Sequence, residues 1–165
     1  MTEEKFTYFW RTESPFSNWH PCQFELDGIV FNSTEQHMMY HKAMLFDNEE
    51  IAQKILKATS PSKQKALGRQ VEGFDPLVWE KHRWDIVYAG NKAKFTQNEN
   101  LLKRLLKTQG TTIVEASPVD DIWGIGLAEE DPRALSRHTW RGLNLLGQIL
   151  TELREELIQK ENGKN

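Results

Sequence analysis

The chain has 165 residues, a formal net charge of −3, and 38% hydrophobic and 10% aromatic residues, which suits one globular domain with a single core. The near-neutral balance offers no strong electrostatic footprint for tight sequence-independent DNA binding, and no run approaches the roughly 20 apolar residues of a membrane-spanning helix. Cys22 is the only cysteine and the start, MTEEKFTYFW, carries charges where an export signal needs an apolar stretch, so neither an internal disulfide nor a multi-cysteine metal site is expected, and the expected location is cytoplasmic.

In chain order, β-like runs come first, at residues 6–10, 23–26 and 29–31; the last two flank Asp27-Gly28, a dipeptide favoured in tight hairpins. Ser33 followed three residues later by Gln36 has the form of a capping box and predicts a helix over 34–46. Ser60-Pro61 and Asp75-Pro76 each place a capping residue before a proline suited to the first helical position. They predict two more helices, the second running from 76 toward 95. A short helix over 98–107, closed by Gly110, and a β-branched strand over 111–116 follow. Leu143, Leu146, Leu150, Leu153 and Leu157 then recur at alternating spacings of three and four, the stripe of a last amphipathic helix. The expected class is α+β, predominantly helical with a small β-sheet, a single domain over 1–160 and a disordered tail over 161–165.

The stretch TEQHMMYHKA, residues 34–43, poses a chemical question. On a helix Lys42 lies within about 20° of Glu35, and Met38, Met39, Leu45 and Phe46 share that side. Residues seven apart are about 10 Å apart along the axis, too far for the usual i,i+4 ion pair. Taken out of water, each charge costs several kcal/mol unless it is paired or used. Two readings remain open from these residues: Glu35 favouring the helix N-terminus with Lys42 at the core rim, or a pair reaching toward something held between them. His37 and His41, at i and i+4, point to the opposite side and lack the adjacent glutamate of zinc proteases. They are expected as surface histidines, with no metal.

Residues 115–127, EASPVDDIWGIGL, end a strand in two aspartates, a tryptophan and a Gly-x-Gly. The glycines would let backbone amides approach a ligand, and Trp123 would wall a flat heterocycle. A core tryptophan beside an aspartate turn is the alternative.

Taken in order, FSNW (16–19), STEQHMMYHKA (33–43), LGR (67–69), Trp79, KFTQN (94–98), VEASPVDDIWGIG (114–126) and WRGLNLLGQIL (140–150) make the chain resemble the NADAR, or YbiA-like, family over nearly its whole length. The resemblance implies the YbiA-like fold and hydrolysis of N-glycosidic bonds. It implies substrates of two classes: ribose phosphate on an amino-pyrimidine, as in riboflavin biosynthesis, or ADP-ribose on guanine in DNA or RNA. By position it implies Glu35, Lys42 and Asp120 as the chemical residues, with Trp79 and Trp123 as walls. Gln36 departs from the family, where many bacterial members have histidine, as does the insertion-like LAEEDPRALSRHTW.

Both substrate classes join ribose C1 to an exocyclic amine. Such a bond can be cleaved by two carboxylic groups or, after ring opening, through a Schiff base on a lysine of lowered pKa. Lys42 is the expected nucleophile, with Glu35 and Asp120 as acid/base. Asn18, Asn144 and the backbone amides near Gly124 are expected to hydrogen-bond ribose and phosphate, Arg11, Lys94 or Arg141 to pair with the phosphate, and Trp19 to bind substrate. No cofactor and no membrane partner are expected. A non-catalytic ADP-ribose or NAD-binding module is the alternative function, and a helical interaction protein a third.

Overall fold

Residues 3–163 are described by the computed structural model. They divide into two units, one formed by residues up to Ser17 and from Asn100 onward, the other by Asn18–Glu99.

In the first unit, β1 (Phe6–Phe9) and β4 (Thr112–Glu115) pair in parallel, Phe6 opposite Thr112 and Phe9 opposite Glu115. The last helix, α6 (Leu145–Asn162), packs on β4 and supplies what a further strand would have given. Asn144 Nδ2 donates to the Ile113 carbonyl at 3.1 Å, Asn144 Oδ1 accepts the Glu115 N–H at 3.0 Å, and Thr151 Oγ1 accepts the Ile113 N–H at 2.9 Å. Asn144 adopts the left-handed conformation, φ 53°. A side chain at Gly147 would collide with the Ile113 carbonyl, so this glycine lets helix meet strand. Ile113, Val114, Ile125, Leu146, Ile149, Leu150 and Leu153 are fully buried here. Burying such a side chain is worth about 1.5–3 kcal/mol. Arg154 clamps the turn before β4, donating to the carbonyls of Thr108 and Thr111 at 2.8 and 2.7 Å. A short helix, α5 (Glu99–Leu106), precedes that turn.

The second unit is built around α1 (Thr34–Leu45). Ser33 Oγ accepts the Gln36 N–H at 3.0 Å, as the capping pattern predicts, and Gln36 Oε1 reaches back to the Asn32 N–H at 2.7 Å. The hairpin β2 (Phe24–Leu26) and β3 (Ile29–Phe31) turns through Asp27 and Gly28, both at positive φ, as the dipeptide foretells. Around α1 pack α2 (Glu49–Lys57), α3 (Pro61–Gly68) and α4 (Pro76–Thr96). The last two start as expected: Ser60 Oγ accepts the Lys63 N–H and Asp75 Oδ1 the Leu77 N–H. Gly68 of α3 and Gly90 of α4 lie where a side chain would strike Met39 and His37, so two helices seat on α1 through missing side chains.

The structure departs from the sequence reading in several places. The helix α2 was not expected; it is nine residues long and buries only Ala52 and Ile55. The strands form two separate two-stranded sheets. Leu143 precedes α6 and is exposed, because the left-handed Asn144 starts the helix after it. The helix continues to Asn162, into the expected tail, of which residues 164 and 165 lie outside the described residues. His37 is no surface residue: it is 2% exposed, against Phe24 and Phe31 of the hairpin, because α1 is covered on that side too.

Candidate functional site

In the second unit, Asn18 and Trp19 meet the STEQ start of α1. The Glu35 N–H donates to the Asn18 carbonyl at 2.9 Å, and Thr34 Oγ1 to Asn18 Oδ1 at 2.7 Å. Asn91 Nδ2 reaches the same Oδ1 at 3.4 Å. Asn18, expected on ribose, here fixes a loop to the start of α1. That loop sets the next residue: the Trp19 indole N–H donates to Glu35 Oε1 at 3.2 Å. Glu35 itself is 5% exposed.

Two turns along, Lys42 is half-buried, with its ammonium 4.7 Å from the Phe74 ring centre, and Phe74 in turn packs on Phe46. Burial lowers the Lys42 pKa from its usual value; the Glu35 carboxylate raises it and Arg69 lowers it further. Glu35 and Lys42 therefore share an electrostatic neighbourhood, and Met38 and Met39, between them in α1, are buried. Trp79 is half-buried in the first turns of α4. Lys94 has no exposed surface, and its ammonium lies 5.0 Å from the Phe95 ring centre. Burial brings its pKa down to about 8, against the opposing influence of Cys22.

In the first unit, Asp120 orders the segment after β4. Its Oδ1 accepts the N–H groups of Ile122 and Trp123 at 3.0 and 2.9 Å, and its carbonyl accepts that of Gly126 at 3.1 Å. Trp123 is half-buried, and Gly124 is buried where a Cβ would lie 2.8 Å from the Glu115 carbonyl. The side-chain amide of Asn144, expected on substrate, is used on β4 at both ends. Arg141 is exposed. Arg11 stacks over Trp10 at 5.1 Å and lines a cleft of about 290 Å³ with Phe9, Trp10, Ala116, Glu129 and Glu130. The insertion-like segment thus contributes two carboxylates to a cavity rim. Among the described residues no group of three or more His, Cys, Asp or Glu side chains could hold a metal ion, and no helix is long and apolar enough to cross a membrane.

The family model described as NADAR domain matches residues 8–158. The chain belongs to the NADAR family. N-glycosidase R617 of Acanthamoeba polyphaga mimivirus is 48% identical over 86% of this chain and 86% of its own length. The chloroplastic riboflavin biosynthesis protein PYRR of Zea mays is 34% identical over 90% of this chain, which spans 24% of that longer protein. The NMR structure of the E. coli protein YbiA superposes with a TM-score of 0.78 at 26% identity, covering 98% of this chain and 89% of that one. The YbiA-like, predominantly helical α+β fold is therefore that of this NADAR chain.

Three residues around α1 escaped the sequence reading. Phe74 meets Lys42 only through the turn at Gly73, φ 74°, which nothing local aims at α1. Lys65 lies over the Trp19 ring at 5.9 Å, and Arg69 is felt by Lys42. The signal for these two was present as a basic i,i+4 pair around the LG of LGR.

Proposed function

We propose that this chain, an N-glycosidase of the NADAR family, hydrolyses the bond between ribose C1 and an exocyclic amine of a heterocycle, with Lys42 attacking C1 and Glu35 carrying protons. The observation that carries the reading is on α1: a buried carboxylate held by an indole N–H, electrostatically coupled to a half-buried lysine of lowered pKa. A neutral amine is the nucleophile, and lowering the pKa enlarges its fraction near neutral pH.

The chemistry balances without a cofactor. Glu35 gives a proton to the ring oxygen as the furanose opens, leaving C1 doubly bonded to the leaving nitrogen. The Lys42 amine adds to C1; one of its protons passes by way of Glu35 to the leaving nitrogen, which kept its own proton and departs as the free amine, and the other returns to Glu35 as the C1–Nζ imine forms. Water then adds to the C1–Nζ imine, which yields the C1 aldehyde and free Lys42. Asp120 is proposed as a second proton carrier on the family resemblance alone, and Trp79 and Trp123 as base or ribose contacts.

Two relatives support a ribosylamine substrate by their names: one is an N-glycosidase, another a riboflavin biosynthesis protein. A ribosylamino-pyrimidine phosphate and a guanine-ADP-ribosylated oligonucleotide are the two substrates to compare. Borohydride added during turnover is expected to reduce a Lys42 adduct, absent in Lys42→Ala; turnover with no trapped adduct would reject the Schiff base and favour carboxylate-assisted cleavage. Glu35→Gln is expected to lower kcat about 100- to 10,000-fold. Release from neither substrate, with ADP-ribose still bound, would turn the reading into that of a binding module.

A further inference from the structure

We propose that Lys65 and Arg69 form an anion subsite beside Trp19 and Glu35 that takes a phosphate ester on the sugar half of the substrate. The inference deepens the ribosylamine reading and rests on it. Lys65 lies within α3 and Arg69 caps its C-terminal end; four residues apart, they project from one side of the helix. Both are exposed.

Two contacts connect this side of α3 to the chemical residues. Lys65 Nζ sits 5.9 Å from the Trp19 ring centre, and that ring donates its N–H to Glu35. Gly68, between the two cations, lies against Met39, where any side chain would collide with the sulfur, so the approach of α3 to α1 is fixed at the step that carries them. Arg69 is also near enough to Lys42 to depress its pKa.

The charge balance says what this face binds. Lys42 feels both the Glu35 carboxylate and Arg69, and Lys65 lies over the ring that donates to Glu35. Neither Lys65 nor Arg69 makes an ion pair with a carboxylate among the described residues. Two solvent-facing cations left unneutralised beside a buried acid suit a dianion such as a phosphate monoester, which an arginine engages through two parallel N–H donors. The alternatives fit less well. Lys94 has no exposed surface, and the cleft at Arg11 carries Glu129 and Glu130.

The test compares the ribosylamino-pyrimidine 5′-phosphate with its dephosphorylated form, in wild type, Lys65→Gln, Arg69→Gln and the double variant, each at its own pH plateau. Ribose 5-phosphate and ADP-ribose serve as competitors. The expected result is a fall in kcat/KM of about tenfold per charge on the phosphorylated substrate, carried by KM. Turnover of the dephosphorylated form is expected unchanged, with competitor affinity lost in the double variant. Which competitor binds wild type more tightly distinguishes a terminal monophosphate from a diphosphate. Equal losses on both substrates, or competitors that bind the double variant as well as wild type, would overturn the subsite while the N-glycosidase reading stands. Competitor binding that depends on Lys65 and Arg69 in a protein releasing no base would uphold the subsite and reject that reading.

Discussion

The Trp19 indole N–H donates to Glu35 Oε1 at 3.2 Å, joining a loop residue to the first turn of α1. Placed there, Trp19 orients a carboxylate that has almost no water around it. Trp19→Phe keeps a ring and removes the donor. It is expected to cost about 1 kcal/mol of stability, and a kcat loss of about tenfold, larger than that destabilisation alone produces in a protein still folded at assay temperature. Thermal unfolding and single-turnover kinetics separate the two effects; unchanged kcat would show that the bond serves the fold only.

Lys42 titration has a direction that can be reversed by substitution. With Lys42 as nucleophile, the rate rises as pH increases through its pKa, which burial and Arg69 hold below the usual lysine value. Arg69→Gln removes one of those depressing influences. The ascending limb of kcat/KM on the dephosphorylated substrate should therefore move to higher pH, and the rate below the limb should fall. A limb that stays in place, or moves down, would contradict Lys42 as the titrating group.

Local signals carried much of the fold. The caps at Ser33, Ser60 and Asp75 and the Asp27-Gly28 turn involve neighbours in sequence, and each stands where those residues predict. The helix α2 was hidden because nine residues with two buried positions barely show a period. The burial of His37 depends on a hairpin and a glycine of α4 that no helical wheel contains. At the site, Glu35 and Lys42 were visible as charges on an apolar face. The use of Asn18 and Asn144 on backbone and neighbouring polar groups was not, because an amide reads alike whether it holds ligand or chain.

Asn144 performs two structural tasks at once. Its amide supplies the outer edge of β4, and its left-handed backbone, φ 53°, starts α6. Asn144→Ala would strip the Glu115 N–H and Ile113 carbonyl of these partners inside the protein and keep the unfavourable φ. A loss of roughly 2–5 kcal/mol is expected in urea unfolding. Asn144→Gly should recover about 1 kcal/mol of that, since glycine populates this region without a Cβ penalty. Equal stability of the two variants would refute the backbone share.

His37 should make the protein acid-sensitive. Burial, with a smaller contribution from His41, pushes its pKa from 6.5 down to about 3, and its buried Nδ1 has no hydrogen-bond partner. The folded chain therefore keeps His37 neutral while the unfolded chain takes up a proton below 6.5. This contribution to stability is complete above pH 6.5 and is lost progressively as pH falls toward 3, on the order of 3 kcal/mol by pH 4. The neighbouring His41 lowers the His37 pKa, and His41 is itself held below its usual pKa by burial, against an opposing pull from Asp27. His37→Leu removes the proton site with similar bulk. Whatever its stability at pH 7, its unfolding free energy should fall less steeply between pH 7 and 4 than that of wild type. Urea titrations at the two pH values measure the difference, and parallel losses in the two proteins would place the acid sensitivity elsewhere.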